Sequence, residues 1–298
     1  MQKQKIIVIV GPTASGKTSL SIELAKRFDG EIVSADSRQV YQGLNIGTGK
    51  VTSEEMQGVP HHLIDVADPE VTYTVTDYVR DARTAITDIV SRGKTPIIVG
   101  GTFFYIDALL GKVSSPEVPP NETLREHLEM LSTEELFSLV EQKDPKRALT
   151  IDKNNPRRLI RALEIIEALG KVPEIEEEEL YDTLTLGISL PQEILKQNIH
   201  KRLIQRTHAG MIDEVVSLEE DGLPFTRLEA LGIEYKYIAE YLQGKISDEE
   251  MFSQIETKSW QYAKRQMTWL KRNTDIVWIN PSEMSEIEGV VSGFFNKI

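Results

Sequence analysis

A glycine-rich segment near the N-terminus constrains the fold of this chain more than any other feature. Gly11, Gly16, Lys17 and Thr18 match the pattern G-x-x-x-x-G-K-[ST], directly after the apolar run at residues 6–10. That pattern is a phosphate-binding loop, or P-loop, which joins a buried parallel strand to the N-terminus of a helix. It predicts an α/β fold whose core is a P-loop nucleoside-triphosphate-hydrolase-like parallel sheet with helical insertions.

Hydrophobic patterning along the rest of the chain supports such a sheet. A strand at 6–10, a helix at 17–28 and a strand at 31–35 form a β-α-β unit, which predicts parallel pairing. Further strands are predicted at 95–101, 184–190 and 276–279, and helices at 76–91, 122–141, 156–169 and through most of 192–272. We expect two helical insertions in the sheet, one after Gly111 and one after Pro191.

The domain organisation follows from these elements. The 298 residues suffice for two domains, or for one domain with a large insertion. We predict a first part of the core at 1–113, a helical insertion at 114–154, a return to the core at 155–191, a largely helical region at 192–274, and a final core strand and C-terminal tail at 275–298. The acidic run at 174–179 is typical of a solvated or mobile loop.

Composition excludes several classes of protein. No apolar run approaches the roughly 18 residues of a membrane span, and there is no cysteine for disulfides or thiolate metal sites. The net charge of −13 argues against a general nucleic-acid binder, although the basic residues are clustered. We therefore expect a cytoplasmic protein with no membrane partner.

The chemistry begins at the P-loop. Its backbone N–H groups approach phosphate oxygens, Lys17 adds a positive charge, and Thr18 can hold Mg²⁺. A P-loop usually indicates ATP binding, but many such proteins end a second strand in an acid that orders Mg²⁺, and here that strand ends in glycines. Asp36 and Asp65 are possible substitutes. The loop therefore holds either a nucleotide or a pyrophosphate that is not part of one.

Asp36 and Thr102 follow two of the predicted strands. Ligands of open α/β sheets collect at the carboxyl ends of the strands, so Asp36 is a candidate general base or hydrogen-bond acceptor. Capping a turn is the alternative role. Thr102 follows Gly100 and Gly101, where its hydroxyl would reach a phosphate oxygen or cap a helix.

Two segments concentrate positive charge. Arg157, Arg158 and Arg161 crowd the N-terminal end of a predicted helix, where the helix dipole disfavours cations, and an external anion would resolve this conflict. A solvated face neutralised by Glu164 and Glu167 is the alternative.

The second segment, at residues 260–272, reads WQYAKRQMTWLKR. Basic residues that alternate with aromatic residues suit the binding of a phosphate backbone with stacked nucleobases. On a helix Arg265, Trp269 and Arg272 would share one face. An ordinary basic surface with a buried tryptophan explains the same pattern.

Taken together, seven stretches resemble the tRNA dimethylallyltransferases, also called tRNA isopentenyltransferases. The stretches are GPTASGKT (11–18), ADSRQVY (35–41), GVPHHLID (58–65), VGGTFFY (99–105), Leu124–Arg125, NPRRLIRALE (155–164) and AKRQMTWLKR (263–272). Members of that family transfer a dimethylallyl group from its diphosphate to the exocyclic N6 amine of the adenosine next to the anticodon in tRNA, with Mg²⁺. The resemblance implies the same reaction here, with tRNA and dimethylallyl diphosphate as partners, in a monomer. It also implies that the largely helical region at 192–274 binds tRNA.

The resemblance also implies roles for individual residues. Lys17, Asp36 and Thr102 would be catalytic, and Thr18 would hold the metal. The diphosphate would contact Gly11, Pro12, Thr13, Ala14, Ser15, Gly16, Lys17, Thr18 and Arg202. The tRNA would contact Asp36, Ser37, Arg38, Gln39, Arg125, Arg157, Arg158, Arg161, Lys264, Arg265, Gln266, Thr268, Trp269 and Lys271. Tyr235 and Lys236 are left without an assigned role.

Two other functions fit part of the pattern. An ATP-dependent small-molecule kinase would use the same P-loop sheet, but it leaves the basic and aromatic segment near the C-terminus unexplained. A nucleotide-regulated RNA-binding switch would use the basic helices and would need no chemistry at Asp36.

Overall fold

The computed structural model describes residues 3–113, 116, 118–174 and 179–296. The chain divides into two compact units. The first consists of Met1–Leu110 with Glu179–Ile298, and the second of Gly111–Glu178.

The first unit contains a parallel sheet of six strands in the order β3-β2-β4-β1-β5-β6. The strands are β1 (Gln4–Val10), β2 (Gly30–Ala35), β3 (His61–His62), β4 (Thr95–Gly100), β5 (Tyr181–Ile188) and β6 (Ile276–Ile279). Val10 of β1 and Ala35 of β2 both pair with Gly100 of β4. The carboxyl ends of these three strands therefore meet at one edge, which confirms the predicted parallel α/β core.

The helices occupy the segments between and after the strands. They are α1 (Lys17–Arg27), α2 (Ser53–Met56), α3 (Val75–Ser91), α4 (Phe103–Leu109), α5 (Glu122–Glu129), α6 (Thr133–Lys143), α7 (Pro145–Ala148), α8 (Pro156–Leu169), α9 (Gln192–His208), α10 (Met211–Glu220), α11 (Phe225–Leu231), α12 (Ile233–Leu242), α13 (Asp248–Leu270) and α14 (Met284–Asn296). Within the described ranges, no helix combines the length and the hydropathy that crossing a membrane requires.

The two faces of the sheet bury alternate residues of each strand. Helices α3 and α4 cover one face through side chains such as Tyr78, Ile86 and Ile106. Helix α1 covers the other face, and the C-terminal helix α14 joins it. The predicted C-terminal tail is therefore wrong, because Ile287, Val291 and Phe294 lie on one side of α14 and pack against the sheet.

Helices α9–α13 form the helical block that the sequence places at 192–274. The block has its own apolar core, to which Leu203, Val215 and Ile255 belong. The same core includes Val40 and Leu44, from the loop that follows β2. Packing thus attaches the block to the loop that begins at Asp36.

The second unit is a small helical bundle of α5–α8. The sequence ends this insertion at residue 154 and returns α8 to the core, and the structure corrects that boundary. Leu159 and Leu163 of α8 pack with Leu136 of α6, so the unit extends to Glu178. The predicted helix at 122–141 is two helices, because Ser132 caps α6 with a hydrogen bond from the Glu135 N–H.

Some sequence predictions fall on residues outside the described ranges. Most of the acidic run, residues 175–178, lies there, as does residue 114, where the insertion was predicted to begin. The flanking Glu174 pairs with Lys146, and Glu179 pairs with Lys3.

Candidate active site

The P-loop connects β1 to α1 at the carboxyl edge of the sheet. Gly16 has φ = 90°, a left-handed conformation that glycine adopts without steric cost, and it immediately precedes Lys17, the first residue of α1. The loop therefore ends at a helix N-terminus, where backbone N–H groups and the helix dipole favour an anion.

Two helices of the helical block hold the P-loop in place. The Gln266 side chain of α13 accepts a hydrogen bond from the Thr13 N–H (2.8 Å) and donates one to the Gly101 carbonyl (2.9 Å). Asn198 of α9 donates to the Ala14 carbonyl at 3.1 Å. The resemblance implies a tRNA contact for Gln266, whereas the structure buries it with both ends of its amide engaged. Its observed contacts join the P-loop to the turn after β4.

An open cavity of about 110 Å³ lies beside the P-loop. Polar residues from several segments line it, together with a few aliphatic residues. The polar lining includes Thr13, Lys17, Thr18, Asp36, Gln39, Thr48, Arg202, Tyr262 and Gln266, and the aliphatic lining includes Ile32, Val51, Ile64 and Val99. The structure thus brings the predicted catalytic Lys17 and Asp36 together with the predicted diphosphate ligand Arg202.

Two cations of this cavity, Lys17 and Arg202, are desolvated and lie close to other positive charge. Desolvation, reinforced by the neighbouring Arg202, lowers the pKa of Lys17 to about 8. Burial and the nearby Arg206 likewise lower the pKa of Arg202. Lys17 donates a hydrogen bond to the Pro12 carbonyl (2.7 Å), and within the described part of the chain neither cation forms an ion pair with a carboxylate. An anionic ligand would relieve both desolvation and repulsion.

The pKa of Lys17 predicts a pH dependence of anion binding. Because pyrophosphate binds the charged amine more tightly, its dissociation constant should be nearly constant below pH 8 and rise by up to about tenfold per pH unit above it. Isothermal titration calorimetry between pH 6.5 and 9.5 measures this. Lys17→Arg keeps the charge at every pH and corrects for titration of pyrophosphate itself, so equal slopes for the two proteins would contradict the prediction.

Asp36 follows β2 and reaches the cavity with part of its carboxylate. Oδ1 accepts hydrogen bonds from the N–H groups of Arg38 (2.9 Å) and Gln39 (3.3 Å). Among the described residues no hydrogen bond or ion pair engages Oδ2, and Asp36 lines the cavity. The two alternatives from the sequence therefore coexist, since one oxygen caps the turn while the residue faces the cavity.

Thr102 supports the Asp36 turn. Its hydroxyl accepts a hydrogen bond from the Ser37 N–H at 3.0 Å and lies 3.2 Å from the Ser37 hydroxyl. Thr102 makes no side-chain cap for α4, so the helix-cap alternative is wrong. Gly100 permits this arrangement, because a Cβ there would collide with the Ala35 carbonyl group.

Tyr262 of α13 lines the cavity near Asp36. Its hydroxyl donates to the Gly101 carbonyl at 3.4 Å. Burial, with the Asp36 carboxylate nearby, raises the pKa of Tyr262 to about 12. Tyr262 therefore remains protonated at neutral pH and acts as a hydrogen-bond donor.

Metal binding rests on few protein groups. Thr18 lines the cavity in the first turn of α1, and Asp36 lies in the same cavity. Among the described residues there is no cluster of three or more His, Cys, Asp or Glu side chains arranged for a metal ion. Mg²⁺ commonly takes only one or two protein ligands beside phosphate and water, so this site fits it. Asp65 pairs with Lys50 and does not line the cavity, which removes it as a candidate.

A carboxylate that sequence reasoning missed holds another wall of the cavity. Glu214 of α10 accepts hydrogen bonds from the N–H groups of Asn45 (2.9 Å), Ile46 (2.6 Å) and Gly47 (2.9 Å). It also accepts one from the hydroxyl of the buried Tyr235, at 2.7 Å. Thr48 and Gly49, which line the cavity, follow directly. Nothing in the local sequence distinguishes Glu214 from an ordinary acid of an amphipathic helix.

Replacing Glu214 with glutamine should loosen this loop. The amide group keeps at most one good acceptor and turns its NH₂ toward backbone donors, so amide exchange at residues 45–47 should accelerate by about tenfold or more. The Michaelis constant for dimethylallyl diphosphate, the donor that the sequence resemblance implies, should rise more than the turnover number falls. Glu219→Gln, an exposed position on the same helix, is the control, and the idea fails if both variants exchange alike.

The arginines of the second unit fall into two groups. Arg125 donates to the buried Glu164 through Nε (2.8 Å) and Nη2 (3.1 Å). Arg161 donates to the same carboxylate (3.3 Å) and to the Val118 carbonyl (2.8 Å). Arg157 and Arg158 are exposed, and the described part of the chain records no ion pair for either. The solvated-face alternative is thus correct in part, since Arg161 is neutralised by Glu164.

This division sharpens the expectation for nucleic-acid binding. If Arg157 and Arg158 contact phosphates, replacing both with alanine should reduce the slope of log K against log salt by about 1.4 to 1.8. Arg161→Ala should instead lower the melting temperature, because it leaves the buried Glu164 with one partner fewer. Filter binding of tRNA across salt concentrations and thermal melting measure the two effects. An unchanged slope in the double variant would contradict the phosphate contacts.

The basic segment of α13 is exposed on one side and buried on the other. Lys264, Arg265, Thr268 and Lys271 are exposed. Trp269 is half-buried, and its ring stacks on Phe103 with centroids 6.5 Å apart. Helix α13 ends at Leu270, so Arg272 does not continue the predicted face of Arg265 and Trp269. Trp269 therefore fits neither alternative fully, because its ring packs on Phe103 while part of the side chain stays exposed.

Comparison with known proteins gives a consistent result. Residues 39–273 match the family model for IPP transferase. A tRNA dimethylallyltransferase of Exiguobacterium sp. is 43% identical over 100% of this chain and 99% of its own length. One of Bacillus mycoides is 40% identical over 98% and 96%, respectively.

Solved structures show the same similarity. The tRNA isopentenylpyrophosphate transferase of Bacillus halodurans is 37% identical, with a TM-score of 0.75 over 98% of this chain and 97% of that one. A eukaryotic dimethylallyltransferase, crystallised in the course of acting on tRNA, is 30% identical with a TM-score of 0.82, over 95% of this chain and 75% of the other.

Proposed function

The chain belongs to the IPP transferase family and is an enzyme of the tRNA dimethylallyltransferase type, and from this premise we propose how its cavity performs the transfer. The donor is dimethylallyl diphosphate, and the acceptor is the exocyclic N6 amine of the adenosine adjacent to the anticodon. The observation that supports this assignment is one cavity lined by the P-loop, by the unpaired cations Lys17 and Arg202, and by Asp36.

The P-loop and the two cations bind the diphosphate. Negative charge on the diphosphate grows as its bond to the allylic carbon breaks, and fixed N–H groups and cations stabilise that charge without reorganising. Lys17 and Arg202 already lie in the cavity and are already desolvated. No phosphoryl group is transferred, so the reaction needs no residue that activates water for attack on phosphorus.

A magnesium ion fits beside the P-loop, where Thr18 would hold it. When bound, Mg²⁺ supplies positive charge to the departing diphosphate. ATP binding at the same loop is not part of this proposal.

Asp36 acts on the incoming amine. The lone pair of an adenine amine is delocalised into the ring, so the amine becomes a useful nucleophile only when its proton is accepted during attack. Hydrogen bonds from Arg38 and Gln39 to Oδ1 fix the carboxylate, and Oδ2 is available for the proton. Thr102 positions this turn through Ser37.

The adenosine must leave its stack to reach Asp36, as in other enzymes that modify bases. Exposed cations would guide the RNA to the cavity. We assign phosphate or base contacts to Ser37, Arg38, Gln39, Arg157, Arg158, Lys264, Arg265, Thr268 and Lys271.

We expect the enzyme to act in the cytoplasm, where tRNA is abundant, and as a monomer.

Product analysis tests the function against the kinase alternative. The enzyme is supplied with dimethylallyl diphosphate or ATP, each with and without tRNA, and the phosphate product is identified. Release of pyrophosphate that requires both tRNA and the allylic diphosphate is the expected result. ADP formation would support the kinase, and no product with either donor would leave an RNA-binding switch.

A further inference from the structure

Trp260 is the first residue of the basic and aromatic segment of α13, and it does not line the donor cavity. Its side chain is half-buried and packs against a small apolar cluster of Leu195, Ile199 and Ala263. Ala14 of the P-loop packs against the same cluster and also lines the cavity. Trp260 therefore lies close to the cavity without belonging to it.

Two lysines from different helices flank the Trp260 ring. The Nζ atom of Lys196 in α9 lies 5.3 Å from the ring centroid, and that of Lys264 in α13 lies 5.7 Å from it. An aromatic ring attracts each ammonium group, but two cations at one ring repel each other. An anion bound to both lysines would relieve that repulsion.

The acids near this ring leave the lysines available. Lys196 pairs with Glu193 at 3.1 Å, but the two side chains are 47% and 76% exposed, so water screens the pair and it exchanges easily. Within the described part of the chain, Lys264 forms no ion pair. Glu256, one helical turn before Trp260, is engaged by His200 at 2.9 Å.

Trp260 also extends a face of α13 that the proposed function already assigns to tRNA. Trp260, Lys264, Thr268 and Lys271 follow one another at intervals of three or four residues, so they share one side of the helix. The last three of them are exposed. An aromatic ring among exposed cations is the arrangement that binds single-stranded nucleic acid, because bases stack on the ring while cations follow the backbone.

We propose that Trp260, Lys196 and Lys264 form a platform for a nucleotide of the tRNA anticodon loop other than the adenosine that is modified. The base of this nucleotide stacks on the indole ring, and the two lysines bind the phosphates beside it. The proposal rests on the proposed function, which supplies tRNA as the substrate. Loops of RNA offer unstacked bases to aromatic side chains. A nucleotide held here favours the opening of the loop through which the adenosine enters the cavity.

A purely structural role for Trp260 makes a different prediction. If the ring only fills the cluster that it shares with Ala14, its loss should loosen the P-loop and weaken anion binding there. If the ring stacks on a base, its loss should weaken the binding of tRNA alone. Separate measurements of the two affinities distinguish these roles.

Trp260→Leu keeps an apolar side chain against the cluster and removes the aromatic face. The dissociation constant for tRNA, measured by filter binding without any donor, should rise by about fivefold to a hundredfold. The slope of log K against log salt should not change, because no charge is lost. Trp260→Phe, which restores a ring, should recover most of the affinity. The affinity for pyrophosphate, measured by calorimetry, should stay within about twofold in both variants.

Trp278→Leu is the matched control for the loss of an exposed indole. Trp278 lies on the edge strand β6 and is 41% exposed. Its replacement should leave the dissociation constant for tRNA within about twofold of the wild type. A change at Trp260 no larger than this overturns the proposal, and so does an equal weakening of tRNA and pyrophosphate binding by Trp260→Leu.

Lys196→Ala tests the phosphate contact. It should lower the salt slope of tRNA binding by about 0.7 to 0.9. Lys245→Ala is its control, because Lys245 is likewise an exposed lysine with one glutamate partner, Glu229, at 3.1 Å. The control should keep the wild-type slope. If Trp260→Leu fails to fold, as judged by thermal melting, this pair decides, and equal slopes for the two lysine variants overturn the proposal.

These measurements fail separately from the function itself. Dimethylallyl transfer by the wild type together with unchanged tRNA binding by the platform variants refutes the platform and leaves the enzyme's function intact. Weakened tRNA binding by Trp260→Leu in a protein that transfers no dimethylallyl group refutes the function and keeps the platform as an RNA-binding surface.

Discussion

Replacing Asp36 with alanine should lower the single-turnover rate of dimethylallyl transfer by about 10² to 10⁴, the range typical of losing a positioned base. The affinities for dimethylallyl diphosphate and for tRNA should stay within about threefold, because the proposed work of Asp36 is done on the attacking amine. Single-turnover transfer of a labelled dimethylallyl group measures the rate, and thermal melting confirms that the variant is folded.

Asp36→Asn separates the two tasks of this side chain. An amide oxygen can still accept the N–H groups of Arg38 and Gln39, but it takes up no proton. The asparagine variant should therefore be as impaired as the alanine variant. Near-normal transfer by Asn but not by Ala would make Asp36 an orienting acceptor. Near-normal transfer by both would leave it only the turn-capping role.

A control for the turn itself is available at Asp68. Its Oδ1 accepts the Glu70 N–H at 2.8 Å, which is the same kind of cap, and it does not line the cavity. Asp68→Ala should retain transfer within about threefold of the wild type, since it removes a cap but no cavity carboxylate. If Asp68→Ala lowered the transfer rate as much as Asp36→Ala does, general loosening of the loop would explain both defects.

Replacing Lys17 with alanine should lower the turnover number by about 10² to 10³, as for removal of one group that stabilises a developing oxyanion. The Michaelis constant for dimethylallyl diphosphate should rise by less, because the charge on the diphosphate is greatest when the allylic bond is broken. Steady-state and single-turnover kinetics with saturating tRNA measure both quantities.

Lys26→Ala is the matched control for Lys17. Lys26 lies near the other end of the same helix and donates a hydrogen bond to the Gln57 side chain. It does not line the cavity. Its removal should leave both kinetic constants within about twofold, since exposed substitutions away from a site have small effects. A Lys17→Ala defect confined to the Michaelis constant would mean that Lys17 anchors the diphosphate without stabilising its departure.

The second unit shows how far a charge pattern can be read from sequence. Three arginines at one helix end indicated an anion site, and the structure leaves only Arg157 and Arg158 exposed for one. Arg161 shares the buried Glu164 with Arg125, which is distant from it in the chain. The sequence identifies which charges are present, but a pairing across helices depends on how those helices pack.

The C-terminal helix shows a similar limit. The sequence predicts the strand at Ile276–Ile279 with its observed bounds, whereas it predicts only a tail where α14 lies. Its apolar residues recur with helical spacing, but amphipathic helices of this length take most of their stability from the surface they cover. The sheet that Ile287 and Val291 cover is assembled from strands far apart in sequence.

The sequence by itself determined the P-loop, the parallel core, the carboxyl-edge location of Asp36 and the family of this enzyme. Those features depend on local chemistry, because a glycine-rich turn, a run of β-branched residues or a capped helix start is specified within about ten to twenty neighbouring residues. Only the tertiary structure decided that Gln266 joins the P-loop to Gly101 and that Glu214 holds the loop at 45–47. Each of these depends on one side chain meeting atoms far away in the chain, and such a meeting is fixed by packing, which no local pattern encodes.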